Sequence, residues 1–126
     1  MKKELPKIAD SEWRVMQVLW ERGSQTANDV VNALSSGVKW KPRTIKTLIS
    51  RLVKKGAIKV KEEGNRYRYS AAVNESACIR SETKIFVRRV YKGAMTPALA
   101  AFLEDAELSA QDIDELLEIL DQKKGG

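Results

Sequence analysis

The chain has 126 residues, 43% of them hydrophobic, and a formal net charge of +6. This length and composition predict one small globular domain with an appendage. No stretch approaches the roughly 18–20 consecutive apolar residues of a membrane-spanning helix, and the first residues lack the apolar run of a secretory signal. The single cysteine, Cys78, excludes an intramolecular disulfide. We therefore expect a cytoplasmic protein.

Catalytic and metal-binding chemistry is poorly supported by the residue types present. Histidine is absent, which removes the commonest general base and the commonest transition-metal ligand. Cys78 is expected to be a small buried side chain rather than a redox sensor. Residues 104–121 carry eight acids and no base, and we interpret them as the solvated face of a helix. We expect no enzymatic activity, no metal and no cofactor.

The charge is distributed unevenly along the chain. Residues 39–68 hold eleven of the 23 basic side chains and only two acids, Glu62 and Glu63. Such a block gives one side of the molecule an affinity for polyanions. Lysines that merely keep the surface soluble are the alternative explanation.

The first predicted helix spans residues 10–21. Asp10 or Ser11 is expected to cap its start. Trp13 and Trp20 recur at helical spacing, which favours a place in the core over stacking on unpaired bases.

Two further helices follow closely. The second begins at Thr26, which forms a capping box with Asp29. The third opens at Pro42, a residue suited to the first helical position, and runs to about Lys55 before Gly56. Its predicted apolar stripe consists of Ile45, Leu48, Ile49, Leu52 and Val53.

The opposite face of the third helix carries hydroxyls and cations and no acid. An ordinary surface helix mixes charges of both signs, so this face favours contact with the major groove of DNA over a merely solvated surface. The side chains assigned to base edges are Thr44, Lys46, Thr47 and Ser50. Those assigned to phosphates are Lys41, Arg43, Arg51 and Lys54, with Arg66 and Arg68 from the next element. Trp40 is a weaker candidate to brace the sugar-phosphate backbone.

A β-hairpin is predicted after the third helix, because residues 58–61 and 66–69 alternate in polarity around a turn at 62–65. We expect its inward side chains to lie on the helical core and its outward ones to lie along the DNA backbone or reach into the minor groove. The inward set is Ile58, Val60, Tyr67 and Tyr69, and the outward set is Lys59, Lys61, Arg66 and Arg68. Three helices and a hairpin in this order indicate a winged helix-turn-helix.

The remainder predicts three slim amphipathic helices: one from about Asn74 to Tyr91, a short one restarting at Thr96 and Pro97, and one whose Ser109 opens a capping box with Asp112. So small a unit buries too little surface to be stable alone, so we expect it to pair with a second copy. The fold class is thus mainly α with a small hairpin, divided into a DNA-binding domain at 1–72 and a helical dimerisation domain at 73–126. The expected dimer contacts are Ile79, Phe86, Val90, Leu99, Phe102, Leu103, Ile113, Leu116, Leu117 and Leu120.

Four segments together resemble the penicillinase-repressor (BlaI/MecI-type) family of winged-helix regulators. They are residues 10–20 around Trp13, residues 40–48 with their Trp-Lys-Pro-Arg-Thr run, the Arg-Leu-Val-Lys-Lys-Gly run at 51–56, and the hairpin at 64–69. The resemblance implies a homodimeric repressor of palindromic operators that controls β-lactamase or related resistance genes.

The resemblance also implies release of DNA when a membrane sensor protease signals and the dimerisation segment is cut. The pair aligned with the family's usual Asn-Phe is Ala101-Phe102, so Phe102 matches and Ala101 departs. Lys41 stands where the family has a hydroxyl cap. The Cys-x-Cys of a copper-responsive branch does not occur here, so copper sensing is not expected.

Other functions remain open at this point. They are a winged-helix module that binds a protein partner, a regulator of genes unrelated to β-lactams, a magnesium-dependent nuclease using the carboxylates of 104–121, and an RNA-binding protein. The last would need exposed stacking aromatics, whereas Tyr67 and Tyr69 are expected to point inward.

Overall fold

A computed structural model describes residues 5–125. The predicted fold class, mainly helical with a small hairpin, is confirmed. The helices are α1 (Asp10–Arg22), α2 (Ala27–Leu34), α3 (Pro42–Lys55), α4 (Glu75–Tyr91), α5 (Met95–Asp105) and α6 (Ala110–Gly125), and the strands are β1 (Ile58–Glu63) and β2 (Arg66–Ala71). None of the helices in the described residues has the length and apolar character needed to cross a bilayer.

The chain forms two compact units, which divide within α4 between Glu82 and Thr83. The first unit holds most of the buried apolar side chains. Trp13 and Trp20 pack against this core, with ring centroids 5.4 Å apart in an edge-to-face arrangement, and the indole of Trp20 donates a hydrogen bond to the Val73 carbonyl (3.0 Å). The prediction that these two rings belong to the core is confirmed. The fully buried side chains include Val15, Met16, Leu19, Val30, Ile45 and Leu52.

The helix starts were predicted with mixed success. Thr26 and Asp29 exchange hydrogen bonds of 3.0 and 3.1 Å, so the capping box of α2 is confirmed. The prediction for α1 was wrong, because Ala9 is its N-cap residue. Ala9 has no side-chain acceptor for the first-turn N–H groups, and the Glu12 carboxylate instead accepts the backbone N–H of Ala9 itself (2.8 Å).

Glu12 also connects the start of α1 to the end of α3. Its side chain is only 2% exposed, and it accepts a hydrogen bond from the Lys55 ammonium, with which it forms an ion pair. The same ammonium donates to the Lys7 carbonyl (2.9 Å). Burial raises the pKa of Glu12, but the hydrogen bonds from Lys55 and Ala9 outweigh it, and the net effect lowers the pKa from its ordinary 4.5.

A carboxyl whose pKa is lower in the folded state stabilises the fold when it is ionised. The contribution of Glu12 should therefore be complete above pH 4.5 and lost as the pH falls through its lowered folded pKa. Denaturant unfolding measured across the acid range should show this loss for the wild type. In Glu12→Gln the corresponding dependence of the free energy of unfolding on pH should disappear. Glu21→Gln, which changes an exposed carboxylate of the same helix, should behave as the wild type. A Glu12→Gln protein whose free energy of unfolding depends on pH as in the wild type would contradict this account.

The two strands pair in antiparallel register, with Val60 opposite Tyr69 and Glu62 opposite Tyr67. Only the end of the hairpin near the core is covered. Ile58 is 3% exposed, whereas Val60 is 42% and Tyr67 is 55% exposed. Alternation correctly predicted which side chains share a face. The prediction that Val60 and Tyr67 point into the core was wrong, because only Ile58 and Tyr69 of the inward set pack against it. An exposed Tyr67 is accessible for stacking on an unpaired base, so this residue does not speak against RNA binding.

The base of the hairpin is joined to the loop between α1 and α2. Gln25 pairs with Tyr69 as an isolated bridge, with backbone hydrogen bonds of 2.7 and 2.9 Å. The Arg68 guanidinium donates to the Ser24 hydroxyl (3.1 Å) and to the Ser24 carbonyl (3.0 Å). These contacts fix the direction in which the hairpin leaves the helical core.

The second unit is short of buried apolar surface. Within residues 83–125, Val87 and Ala98 are the buried side chains, and α6 has none. The predicted start of α6 is confirmed, since Ser109 and Asp112 exchange hydrogen bonds of 3.0 and 3.1 Å. Aromatic contacts add to these few buried residues. The ring centroid of Phe86 lies 6.0 Å from that of Tyr91 and 5.9 Å from that of Phe102.

Candidate nucleic-acid interface

The two faces of α3 differ in exposure as their composition predicts. Ile45, Leu48, Ile49 and Leu52 are buried, and Val53 is half-buried. The four side chains assigned to base edges (Thr44, Lys46, Thr47 and Ser50) and four assigned to phosphates (Lys41, Arg43, Arg51 and Lys54) are all exposed. One continuous surface of α3 thus presents hydroxyls flanked by cations.

The hydroxyl of Thr47 is engaged by its own helix. It donates to the Arg43 carbonyl one turn earlier (2.9 Å), a common arrangement for threonine in helices. Thr47 therefore offers an outside partner an oxygen acceptor and a methyl group rather than a donor. The oxygen can accept a hydrogen bond from the amino group of adenine or cytosine, and the methyl group can contact the methyl of thymine.

Lys41 is the N-cap residue of α3, and it makes no side-chain cap. Lys41→Ser should stabilise the protein by about 0.5–1 kcal/mol, because a serine oxygen can accept an N–H of the first turn. The same change removes a cation from the α3 surface, so duplex DNA should bind more weakly. Thermal melting and duplex titration would measure both effects, with Lys39→Ser in the preceding loop as the control that creates no cap. A Lys41→Ser protein that melts no higher than wild type would contradict the capping argument.

Neighbouring cations at the end of α3 have different roles. Lys54 and Lys55 are both exposed, but the Lys55 ammonium is held by Glu12 and the Lys7 carbonyl. Arg51 lies close enough to Glu12 to contribute to its lowered pKa, yet its side chain is exposed. Arg51 and Lys54 are thus accessible to a polyanion, whereas Lys55 stabilises the fold through its contacts with Glu12 and Lys7.

The hairpin brings together fewer cations than alternation alone indicates. Arg66 is exposed at the turn end of β2, and Lys59 and Lys61 are exposed on β1. Arg68 is half-buried and held by Ser24, although a guanidinium has further N–H groups with which to meet a phosphate. The turn itself is tight, with Gly64 at a positive φ of 64°.

Sequence reasoning missed a cleft between the start of α2, α3 and the hairpin. This α2–hairpin cleft has a volume of about 360 Å³ and is lined by Thr26, Ala27, Asn28, Asp29, Lys46, Arg66, Tyr67 and Tyr69. The pKa of Asp29 is lowered, chiefly by its hydrogen bonds with Thr26 and also by the charges of Arg68 and Arg66. The capping box at Thr26 was the available signal, but its proximity to Lys46 and Arg66 depends on tertiary packing.

Lys46 also lines a shallow depression on α3 together with Arg43, Thr47 and Ser50. Lys46 thus joins the cleft to the exposed surface of the helix. Trp40, just before α3, is half-buried and packs against the core. Trp40 is therefore only partly covered by the core.

The other sites singled out in the sequence lie elsewhere. Cys78 is 3% exposed, and burial raises the pKa of its thiol, so the prediction of a small buried side chain is confirmed. Ala101 and Phe102 lie inside α5, the first half-buried and the second 51% exposed. Among residues 5–125, no three carboxylate or thiol side chains come together as a metal site.

Three comparisons place the chain among known proteins. The penicillinase repressor family model matches residues 8–122. The penicillinase repressor of Bacillus licheniformis is 38% identical over 122 residues, which are 97% of this chain and 95% of that protein. The methicillin resistance regulatory protein MecI of Staphylococcus aureus (strain N315) is 36% identical over 116 residues, covering 92% of this chain and 94% of that protein.

A solved structure is similar to part of the chain. It is the monomeric form of Bacillus licheniformis BlaI in complex with the blaP half-operator, with a TM-score of 0.53 and 40% identity. The match covers 60% of this chain and 92% of that one. The family model and the two relatives match almost the whole chain in sequence, so the similarity goes beyond a shared fold. The chain belongs to the penicillinase repressor family.

Proposed function

We propose that this protein is a transcriptional repressor that binds a palindromic operator as a homodimer. The observation that carries the proposal is the division of α3 into a buried apolar face and an exposed face of hydroxyls and cations. The half-operator complex of a relative that is 40% identical supports the DNA-binding part of the proposal. Repression would follow from occupancy of a promoter rather than from chemistry, in the cytoplasm where the operator is located.

The major groove of B-DNA is wide enough to admit an α-helix. With α3 in the groove, Thr44, Thr47 and Ser50 would face base edges. Cations at the borders of α3 would meet the phosphates on either side, which position a protein without specifying sequence. The hairpin would then follow the backbone with Arg66 at its turn end.

The proposed dimer rests on the second unit, residues 83–125. Its apolar side chains are largely exposed, among them Phe102 at 51%, Leu117 at 58% and Leu120 at 55%, and two buried residues do not stabilise three helices. A second copy that covers these side chains would complete the core. A two-fold dimer presents two recognition helices, and hence requires a two-fold related operator.

Ala101–Phe102 is the proposed scissile pair if a sensor protease is a partner. The pair lies within α5, so the helix must unwind locally before the bond can enter an extended active site. Ala101 stands where the family has Asn, and this departure favours regulation of genes outside the β-lactam response. Incubation with a sensor protease of the family tests this proposal. If the wild type is not cut and Ala101→Asn is cut, residue 101 decides whether cleavage occurs.

Selection of bound duplexes from a random pool tests the function directly. The purified full chain should enrich a sequence with two-fold symmetry, and two chains should bind each duplex. Failure to enrich any duplex, with dimerisation retained, would overturn the proposal and favour a protein-binding module.

A further inference from the structure

We infer that the α2–hairpin cleft binds one phosphodiester group of the DNA backbone, shared by Lys46 from α3 and Arg66 from β2. This inference rests on the proposed function and adds a site that neither the α3 face nor the hairpin forms alone. The two cations are 20 positions apart in sequence and line the same cavity of about 360 Å³. The cavity is open to solvent and adjoins the exposed face of α3 through Lys46.

The charge of the cleft matches a singly charged anion. Among the residues that line the cleft, Lys46 and Arg66 contribute two positive charges and Asp29 contributes one negative charge. Arg68 lies outside the lining and is held by Ser24, although its charge also acts on Asp29. Asp29 is committed to the cap of α2, where its carboxylate accepts the Thr26 N–H (3.0 Å). The excess of one positive charge suits a phosphodiester, which carries one negative charge, better than a free phosphate or a phosphomonoester, which carries more.

The neutral side chains of the cleft also fit a backbone phosphate. Asn28 is exposed in the first turn of α2, and Tyr67 is 55% exposed on the hairpin. Their amide and phenol groups are donors suited to phosphate oxygens, and the ring of Tyr69 offers an apolar wall for the adjoining sugar. In the inferred site, the exposed Tyr67 side chain therefore serves to bind the phosphate.

Lys46 lines both the cleft and the exposed surface of α3. In the inferred site its ammonium binds the DNA backbone rather than a base. A lysine that grips a phosphate weakens all duplexes alike when it is removed, whereas a lysine that contacts a base alters sequence preference. Lys46 is accordingly a positioning residue of the interface.

Salt titrations on a random-sequence duplex test the inference, because phosphate binding is independent of sequence. Lys46→Gln and Arg66→Gln should each reduce the log-log salt slope by about 1 per bound subunit. The double variant should lose no more than either single variant, since both side chains serve the same phosphate. Arg14→Gln, an exposed cation of α1, is the matched control and should keep the wild-type slope.

The outcomes separate this inference from the proposed function. Wild-type protein that binds no duplex would overturn both. Duplex binding with wild-type slopes in Lys46→Gln and Arg66→Gln would overturn only the cleft, and a double variant with twice the loss would show two separate phosphates instead of one. Calorimetric titration with AMP and with inorganic phosphate should give no saturable binding, and AMP binding that Lys46→Gln abolishes would reassign the cleft to a free phosphomonoester.

Discussion

Leu117→Asp is expected to abolish the dimer and to reduce operator affinity by about 10²–10⁴-fold, the gain that a second linked binding event provides. Leu117 lies on α6 and is 58% exposed in the single chain, so an aspartate there leaves the isolated fold intact. In the proposed dimer the same aspartate would be a buried, unpaired charge, which is strongly unfavourable. Binding to a single half-site should remain at the wild-type level.

Sedimentation and operator titration of the same samples measure this prediction. Gln122→Asp introduces the same charge at another exposed position of α6, about opposite to Leu117 on the helix, and should keep the dimer. A Leu117→Asp protein that still sediments as a dimer, or that binds the operator as tightly as wild type, would show that α6 lies outside the interface.

The second large effect is a steep dependence of DNA affinity on salt. If the dimer neutralises about 6–10 phosphates, the log-log slope should lie near −5 to −9, and affinity should fall by about 10³–10⁵ between 50 and 200 mM salt. Arg51 is exposed beside the α3 surface and assigned to a phosphate. Arg51→Ala should therefore weaken operator and unrelated duplexes by a similar factor and reduce the slope.

Titrations of both duplexes over a salt series provide the measurement, with Arg14→Ala as a control on α1. Unchanged affinity in Arg51→Ala would mean that its face of the helix does not meet DNA. A loss confined to the operator would instead assign Arg51 to a base.

Local sequence patterns predicted the helices well because their causes are local. Pro42 and Gly56 bound α3, and Thr26 with Asp29 starts α2, through interactions within a few residues. The start of α1 was missed because its N-cap residue is Ala9, which has no side-chain acceptor, and the bond at this end is the one from the Ala9 N–H to Glu12.

Features that depend on distant neighbours could not be predicted in the same way. Alternation identified the faces of the hairpin, but the exposure of Val60 and Tyr67 depends on how closely the helices pack against the strands. The α2–hairpin cleft likewise requires Lys46 and Arg66 to converge from separate elements. The candidate α3 surface was accessible to sequence reasoning because one helix carries it entirely.

The most direct measurement is the sequence preference of Thr47→Ala in a selection from random duplexes. With α3 in the major groove, removal of the exposed acceptor and methyl of Thr47 should relax discrimination at one position of each half-site and leave the other positions as in wild type. Lys54→Ala, tested in parallel, should weaken binding without altering the preferred sequence. An identical preference in Thr44→Ala, Thr47→Ala and Ser50→Ala would mean that these side chains do not touch bases, and the account of α3 as the recognition helix would be wrong.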